Sequence, residues 1–299
     1  MSLVINTNLM AMNAARNLNS AYGDLSDSVR KLSSGLRITE AADDSAGLAI
    51  RELMRADIAA NLQGVRNAND AISLIQTADG ALSVIDEKLI RMKELAEQAA
   101  SGTYNSEQRM IIDSEYQAMA SEITRIANGT DFNGIYLLNG NLSSNEHDGS
   151  GLASTGKLKV HFGSSNYSAE DYYFIRIGTA TASAFGVGIG AGGDVDGNSI
   201  STQEGAQRAL DAINIAIVSK DNIRASLGAI QNRLENTISN LSLQAENLQA
   251  AESRISDVDV ATEMTQFVRN QILTQSAVAM LSQANSLPRM AMQLLGASG

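Results

Sequence analysis

The sequence predicts a mainly α protein: a long coiled-coil-like helical bundle formed by the N- and C-terminal segments, with a small β-hairpin region in the middle. Three observations carry this. Leu227, Leu234, Leu241, Leu248 and Ile255 recur every seven residues, with Ile230, Thr237, Gln244, Ala251 and Val258 three residues after each. This heptad pattern lets one helix bury a narrow apolar stripe against another. A second such series, Ile75, Ala78, Leu82, Ile85, Leu89, Met92, Ala96 and Ala99, lies toward the other end of the chain, and a seam this long needs a partner of equal length. One proline, no tryptophan and 4% aromatic residues in 299 leave few helix breakers and few bulky anchors, which favours long thin helices over a compact globule.

From Asn6 to Leu36, the residues Leu18, Tyr22, Leu25, Val29, Leu32 and Leu36 are spaced alternately by four and three. This predicts an amphipathic helix, with a stripe that Leu9, Met10 and Met12 widen at its start. Small and turn-forming residues at Ser33-Ser34-Gly35 and from Glu40 to Gly47 break it, and Asp43 or Asp44 stands where a cap for the next helix belongs. That second helix runs from about Ser45 to Ala100, on the order of 80 Å at the usual rise, with Ile58, Leu62, Val65 and Ile72 extending its stripe backwards. A third helix, from Ser106 to Ala127, carries Ile112, Tyr116, Met119, Ile123 and Ile126 and is stopped by Asn128-Gly129. The short connection makes it an antiparallel neighbour of the second. Alternating runs at Lys157 to Phe162 and Tyr172 to Ile177 predict a β-hairpin, and Gly186 to Gly193 a flexible connector back into helix near Ser201. In the last segment, Pro288 allows a kink or a stop.

Charge separates the ends from the middle. Residues 41 to 263 hold 30 acids and 16 bases, a net of −14, whereas the two ends hold 3 acids and 6 bases, a net of +3. A chain of net charge −11 lacks the clustered Lys and Arg that phosphate backbones require, so nucleic acid is not an expected partner. From Met264 to Gly299 the apolar residues spread round the helix and the only charges are Arg269 and Arg289, which suits a helix surrounded by protein on most sides. Copies of the same chain are the expected cover. The absence of cysteine excludes disulfides and thiolate chemistry. No ordinary signal peptide and no membrane span are expected, since the first residues lack a basic n-region and no window approaches the apolar length a span requires.

Few residues invite a chemical reading. Gly186-Val187-Gly188-Ile189-Gly190-Ala191-Gly192-Gly193 with Asp211 downstream superficially suits dinucleotide binding, but nothing supplies a parallel sheet and a glycine hinge accounts better for the run. Asp194, Asp196 and Asn198 make half of a calcium loop without its bidentate Glu. His147 and His161 stand alone, without zinc-ligand spacing. No cofactor, metal or catalytic constellation is expected, so the chain reads as a structural protein and not an enzyme.

The motifs have a family likeness. Met1-Ser2-Leu3-Val4-Ile5-Asn6-Thr7-Asn8, Leu32-Ser33-Ser34-Gly35-Leu36-Arg37-Ile38, Asp43-Asp44-Ser45-Ala46-Gly47-Leu48-Ala49-Ile50 and Ala68-Asn69-Asp70-Ala71-Ile72-Ser73-Leu74-Ile75-Gln76-Thr77 resemble the amino-terminal motifs of bacterial flagellins. Phe132-Asn133-Gly134 and Gln283-Ala284-Asn285-Ser286-Leu287-Pro288 are similar too. The resemblance covers about residues 1 to 140 and 200 to 299.

It implies a minimal flagellin, the subunit of a helical filament for swimming, without large outer domains. Residues 1–40 and 264–299 would be terminal helices forming the filament core, 41–140 and 200–263 a helical rod, and 141–199 a short β-rich variable region packed on the rod. The terminal helices would fold on assembly, because alone they bury too little surface to offset their ordering entropy. The implied partners are further copies of the chain, the flagellar export apparatus and an export chaperone, and the filament cap and hook-filament junction proteins. Export would pass through the flagellar channel without a cleaved signal. The resemblance also implies a surface for host Toll-like receptor 5 at Arg91, Leu95, Gln98 and Glu115, and a tail at Leu294 and Leu295 like that read by inflammasome sensors. The competing readings are a hook-filament junction protein, a secreted binding module, and a flagellin with an embedded enzyme domain, for which 141–200 is too short.

Overall fold

The structure is a computed structural model, and it describes residues 7–148, 155–167, 170–189 and 197–296. The helices are α1 (Leu9–Ser34), α2 (Ser45–Ala100), α3 (Ser106–Gly129), α4 (Ala182–Phe185), α5 (Gln203–Ser256) and α6 (Val260–Gly296). Among the described residues, the strands β1 (Asp131–Phe132), β2 (Ile135–Tyr136), β3 (His147–Asp148), β4 (Thr155–Gly156), β5 (Leu158–His161) and β6 (Tyr172–Ile175) pair as three antiparallel two-stranded sheets. The mainly α architecture with a small β region is as the heptads predict. The chain divides into two compact units, Met1–Ile58 with Glu246–Gly299, and Ala59–Ala245, so α2 and α5 each contribute to both. The first unit takes in 41–58 and 246–263 as well as the termini.

In the second unit, α2 buries the series Ile75, Ala78, Leu82, Ile85, Leu89, Met92, Ala96 and Ala99. The backward extension differs from the expected one. Asn61, Gly64, Ala68 and Ala71 continue the alternation of three and four, while Leu62 is exposed and Ile58, Val65 and Ile72 are half-buried. The reason is a close backbone approach: a Cβ on Gly64 would stand 1.9 Å from the Phe162 carbonyl oxygen, and Asn67 Nδ2 donates to the His161 carbonyl at 2.8 Å. Only small or amide side chains fit beneath the strand here.

Two ion pairs and a lysine–amide bond flank the seam between α2 and α5. Arg224 Nε donates to Asp79 Oδ1 at 2.7 Å, Lys220 Nζ to Asp86 Oδ1 at 2.5 Å and Lys93 Nζ to Asn214 Oδ1 at 2.8 Å. The α2 members are seven residues apart and their partners recede along α5, so the helices are antiparallel with their register set at the seam's edge. Burial pushes the Lys220 ammonium pKa down, but the Asp221 and Asp86 carboxylates outweigh it and the net shift is upward. On α5, Leu227, Leu234 and Leu241 are buried and Leu248 and Ile255 half-buried. Gln244 is exposed and Ala245 is buried instead, because a helix of 3.6 residues per turn drifts by about 20° in each heptad.

The third helix starts with a capping box, in which Gln108 N donates to Asn105 Oδ1 at 2.8 Å and Asn105 N to Gln108 Oε1 at 3.0 Å. It buries Ile112, Tyr116, Ala120, Ile123 and Ala127, leaving Met119 and Ile126 half-buried. The expected hairpin is β5–β6, with Leu158 opposite Ile175 and His161 opposite Tyr172. The Arg233 guanidinium lies 3.5 Å from the centre of the Tyr173 ring, tying β6 to α5.

The glycine run is not the expected flexible connector where it is described. Gly186 and Gly188 have φ of 69° and 77°, and a Cβ on Gly188 would stand 2.4 Å from the Ala120 Cβ. Ile189 N donates to Gln117 Oε1 at 2.9 Å, Tyr116 Oη to the Gly197 carbonyl at 2.8 Å and Gln117 Nε2 to the Asn198 carbonyl at 2.6 Å. The glycines let the backbone lie flat on α3. Residues 190–196, with the Asp194 and Asp196 of the half calcium loop, lie outside the described residues.

Candidate assembly site in the terminal helix pair

Within the first unit, α1 and α6 run antiparallel, and their shared seam keeps the three-four alternation on both sides. Ala11, Ala14, Leu18, Ala21, Leu25, Ser28 and Leu32 face Phe267, Asn270, Thr274, Ala277, Leu281 and Ala284, all buried or half-buried. The most enclosed members are small or polar: Ser28, Asn270, Thr274 and Ala284. Asn270 Nδ2 donates to the Asp24 carbonyl at 3.2 Å and to Ser28 Oγ at 3.3 Å, and Thr274 Oγ1 to the Ala21 carbonyl at 3.4 Å. Of the stripe expected on α1, Leu18, Leu25 and Leu32 enter this seam, whereas Tyr22 and Val29 do not and are exposed.

Other large apolar side chains of the pair stay open. Leu9, Met10, Met12, Val268, Ile272 and Met280 are between 45% and 65% exposed, more open apolar surface than two helices leave when they have only each other to bury. A groove of about 680 Å³ follows the seam between Met10, Asn17 and Ala21 on one side and Leu273, Met280 and Leu287 on the other. An apolar surface this continuous, with five charged residues on α1 and three on the longer α6, marks a face that another protein covers.

Two devices fix the pair. Pro288 sits inside α6, which neither stops nor ends there. A proline has no N–H, so the carbonyl four residues earlier, that of Ala284, loses its helical partner. Asn8 supplies one: its Nδ2 donates to the Ala284 oxygen at 2.8 Å, while its Oδ1 accepts from Ala11 N at 3.0 Å and caps α1. Replacing Asn8 by Ala should therefore raise amide exchange in the first turn of α1 by about tenfold, the worth of a cap and a buried bond together. In a Pro288→Ala background that loss should shrink, because the alanine restores the backbone donor that proline lacks. Equal losses in both backgrounds would remove the link between the residues.

The second device joins the α1–α2 and α5–α6 connections. Arg37 N donates to the Ser256 carbonyl at 2.6 Å, Val258 N to the Gly35 carbonyl at 3.0 Å, and Arg37 NH2 to the Ile255 carbonyl at 2.7 Å. Beneath them, Arg51 NH1 donates to the buried Ile38 carbonyl at 2.8 Å and to Ser256 Oγ at 3.5 Å. Both aspartates proposed as caps are used, for different tasks. Asp44 Oδ1 accepts from Gly47 N at 2.9 Å and caps α2. Asp43 Oδ2 accepts from Thr39 N, Glu40 N and Thr39 Oγ1, which hold its carboxyl pKa down at about 2.

The other sequence candidates scatter. Arg91, Gln98 and Glu115 are exposed in the second unit. Arg91 Nε and NH2 donate to Glu115 Oε1 at 3.0 and 2.8 Å, NH1 to Glu94 at 2.9 Å, and Glu115 first and Glu94 next raise its pKa. Leu95 is 2% exposed and belongs to the core, so it is not a surface contact. The side chains of Leu294, Leu295 and His147 lie outside what is described. The His161 ring stacks on Tyr172. Among the described residues, no His, Asp and Glu cluster has metal-ligand grouping, and no helix is long and apolar enough to cross a membrane.

This geometry suits a structural subunit of a helical assembly. Residues 5–143 match the bacterial flagellin N-terminal helical region and residues 210–295 the bacterial flagellin C-terminal helical region. A flagellin of Halalkalibacterium halodurans is 42% identical over 293 residues, covering 98% of this chain and 100% of that protein. A Treponema pallidum flagellin is 40% identical over 293 residues with the same coverage. The chain belongs to the bacterial flagellin family and is of minimal size. A Vibrio parahaemolyticus structure described as a putative flagellar hook-associated protein shares the fold, with TM-score 0.56 and 16% identity over 72% of this chain and 100% of that one.

Proposed function

We infer that this flagellin polymerises into the flagellar filament by covering the α1–α6 faces with those of neighbouring copies, and that burial completes the folding of both helices. The observation behind this is the exposed set of Leu9, Met12, Ile272 and Met280 beside a seam whose most enclosed members are small or polar. Residues 1–40 and 264–299 are the filament core in this reading, 41–140 and 200–263 the rod, and 141–199 the outer β-rich layer. Hydrogen exchange on the monomer and the filament tests the coupling. α1 and α6 should exchange at least about a hundredfold faster in the monomer, since local stability there rests on few buried contacts. Equal protection in the two states would refute coupled folding.

We propose the partners that the family resemblance suggests. The unfolded termini suit passage through the flagellar export channel, delivered by an export chaperone, and growth occurs beneath a filament cap on hook-filament junction proteins. For host Toll-like receptor 5, the candidate surface reduces to Arg91, Gln98 and Glu115, with Leu95 supporting them from the core. Arg91→Ala removes the group that holds both carboxylates of this surface and should weaken receptor activation by the monomer by about tenfold, the size of a modest hot spot. An unchanged dose response would reject the assignment. Leu294 and Leu295 remain the proposed tail for inflammasome sensors.

A further inference from the structure

The methionines are unevenly placed. Met10, Met12, Met264, Met280 and Met290 on α1 and α6 are 52%, 58%, 44%, 65% and 45% exposed. In the second unit, Met92 is 0% exposed and sits in the α2 seam, while Met110 on α3 is 63% exposed. A thioether in the open is the most readily oxidised apolar side chain, and oxidation makes it polar. The surface that must be apolar to be covered is thus also the surface most open to oxidants before it is covered.

We propose that these five methionines are an oxidation site: peroxide-class oxidants reach them in the unassembled chain, and the resulting sulfoxides block polymerisation, while the filament resists. This rests on the reading of α1 and α6 as the assembly faces. In the reaction, a methionine sulfur lone pair attacks one peroxide oxygen and the O–O bond breaks. A sulfur–oxygen bond forms, the sulfur loses two electrons, and the other peroxide oxygen takes them and both protons and leaves as water. Each product carries a strong hydrogen-bond acceptor that has no donor to meet it on an apolar face. Methionine sulfoxide reductases, one for each sulfoxide epimer, return the thioether with two electrons from a dithiol, which becomes a disulfide while the oxygen leaves as water, so the block is reversible.

The experiment treats the purified full chain and preformed filaments with hydrogen peroxide and follows oxygen addition at each methionine by peptide mass spectrometry. In the unassembled chain the five sites and Met110 should oxidise and Met92 should not. In filaments the five should react at least about tenfold more slowly, as their burial in the assembly requires. The oxidised chain should elongate filament seeds at least about tenfold more slowly than the untreated one, and treatment with the reductases for both sulfoxide epimers and a dithiol should restore the rate. A chain carrying Met10→Leu, Met12→Leu, Met264→Leu, Met280→Leu and Met290→Leu should elongate equally before and after peroxide. If that variant does not assemble, the reductase arm decides. Normal elongation of a chain oxidised at all five positions overturns the proposal, as does a rate lost to peroxide and not recovered by the reductase. An untreated chain that forms no filaments overturns the assembly reading itself, which is a different result.

Discussion

Replacing Ile272 by Asp should leave the isolated chain folded and stop it polymerising. Ile272 is 57% exposed and stands outside the seam that Asn270 and Thr274 form with α1, so in the single chain the carboxylate faces water at little cost. With α6 as an assembly face, as proposed above, the same position is covered in the filament, and an unpaired buried carboxylate costs several kcal/mol. At 1.4 kcal/mol per tenfold, a penalty near 4 kcal/mol raises the concentration needed for growth by about a thousandfold. Seeded elongation followed by light scattering measures this, and thermal unfolding of the unassembled chain checks that the fold survives. Ile272→Ala should fall between, since it removes apolar area without adding charge. If Ile272→Asp grows filaments at the wild-type concentration, this face of α6 is not an assembly face.

The contrast between face and seam also decides what the sequence could reveal. Heptads announce themselves where the partner side is filled by side chains, so Ile75 to Ala99 on α2 and Leu227 to Leu241 on α5 were legible, and the fold class with them. They fail where the partner is backbone. Gly64 is buried against the Phe162 main chain for being small, Asn61, Ala68 and Ala71 are buried on the same stripe, and the apolar residues beside them misled the backward extension. On α1 and α6 the rule holds only in part. Ser28, Asn270, Thr274 and Ala284 are the most enclosed members of the seam, and of the apolar stripe read on α1, Leu18, Leu25 and Leu32 enter it while Tyr22 and Val29 stay exposed. That the ends were too apolar for one chain was legible from composition; which residues face which side was not. Leu95 shows the same limit, because a motif position carries no burial. The β1–β2 hairpin could have been found, since Asn133-Gly134 has the positive φ of 51° and 80° that tight hairpin turns select.

The join between the connections was not legible at all, because it consists of main-chain bonds and guanidinium-to-carbonyl bonds, most of them between residues far apart in sequence. Arg51→Ala should have the largest effect on the unassembled chain's stability. The Arg51 side chain is 10% exposed and holds the Ile38 carbonyl, Ser256 Oγ and the Glu52 carboxylate at once. Its removal leaves a buried acceptor unpaired beside Ile38, itself 2% exposed, and opens a void where the guanidinium stem lay. Together these cost about 2–4 kcal/mol. Arg51→Lys should recover less than about half of that, because a single ammonium cannot present the planar fork that reaches the carbonyl and the carboxylate together. The loss should appear as faster exchange at the Arg37 and Val258 amides, whose bonds to Ser256 and Gly35 close the join. Amides of the α2 seam from Ile75 to Ala99 should keep their protection, since they belong to the second compact unit. Exchange that rises equally in both places would mean that Arg51 stabilises the chain as a whole and not this join.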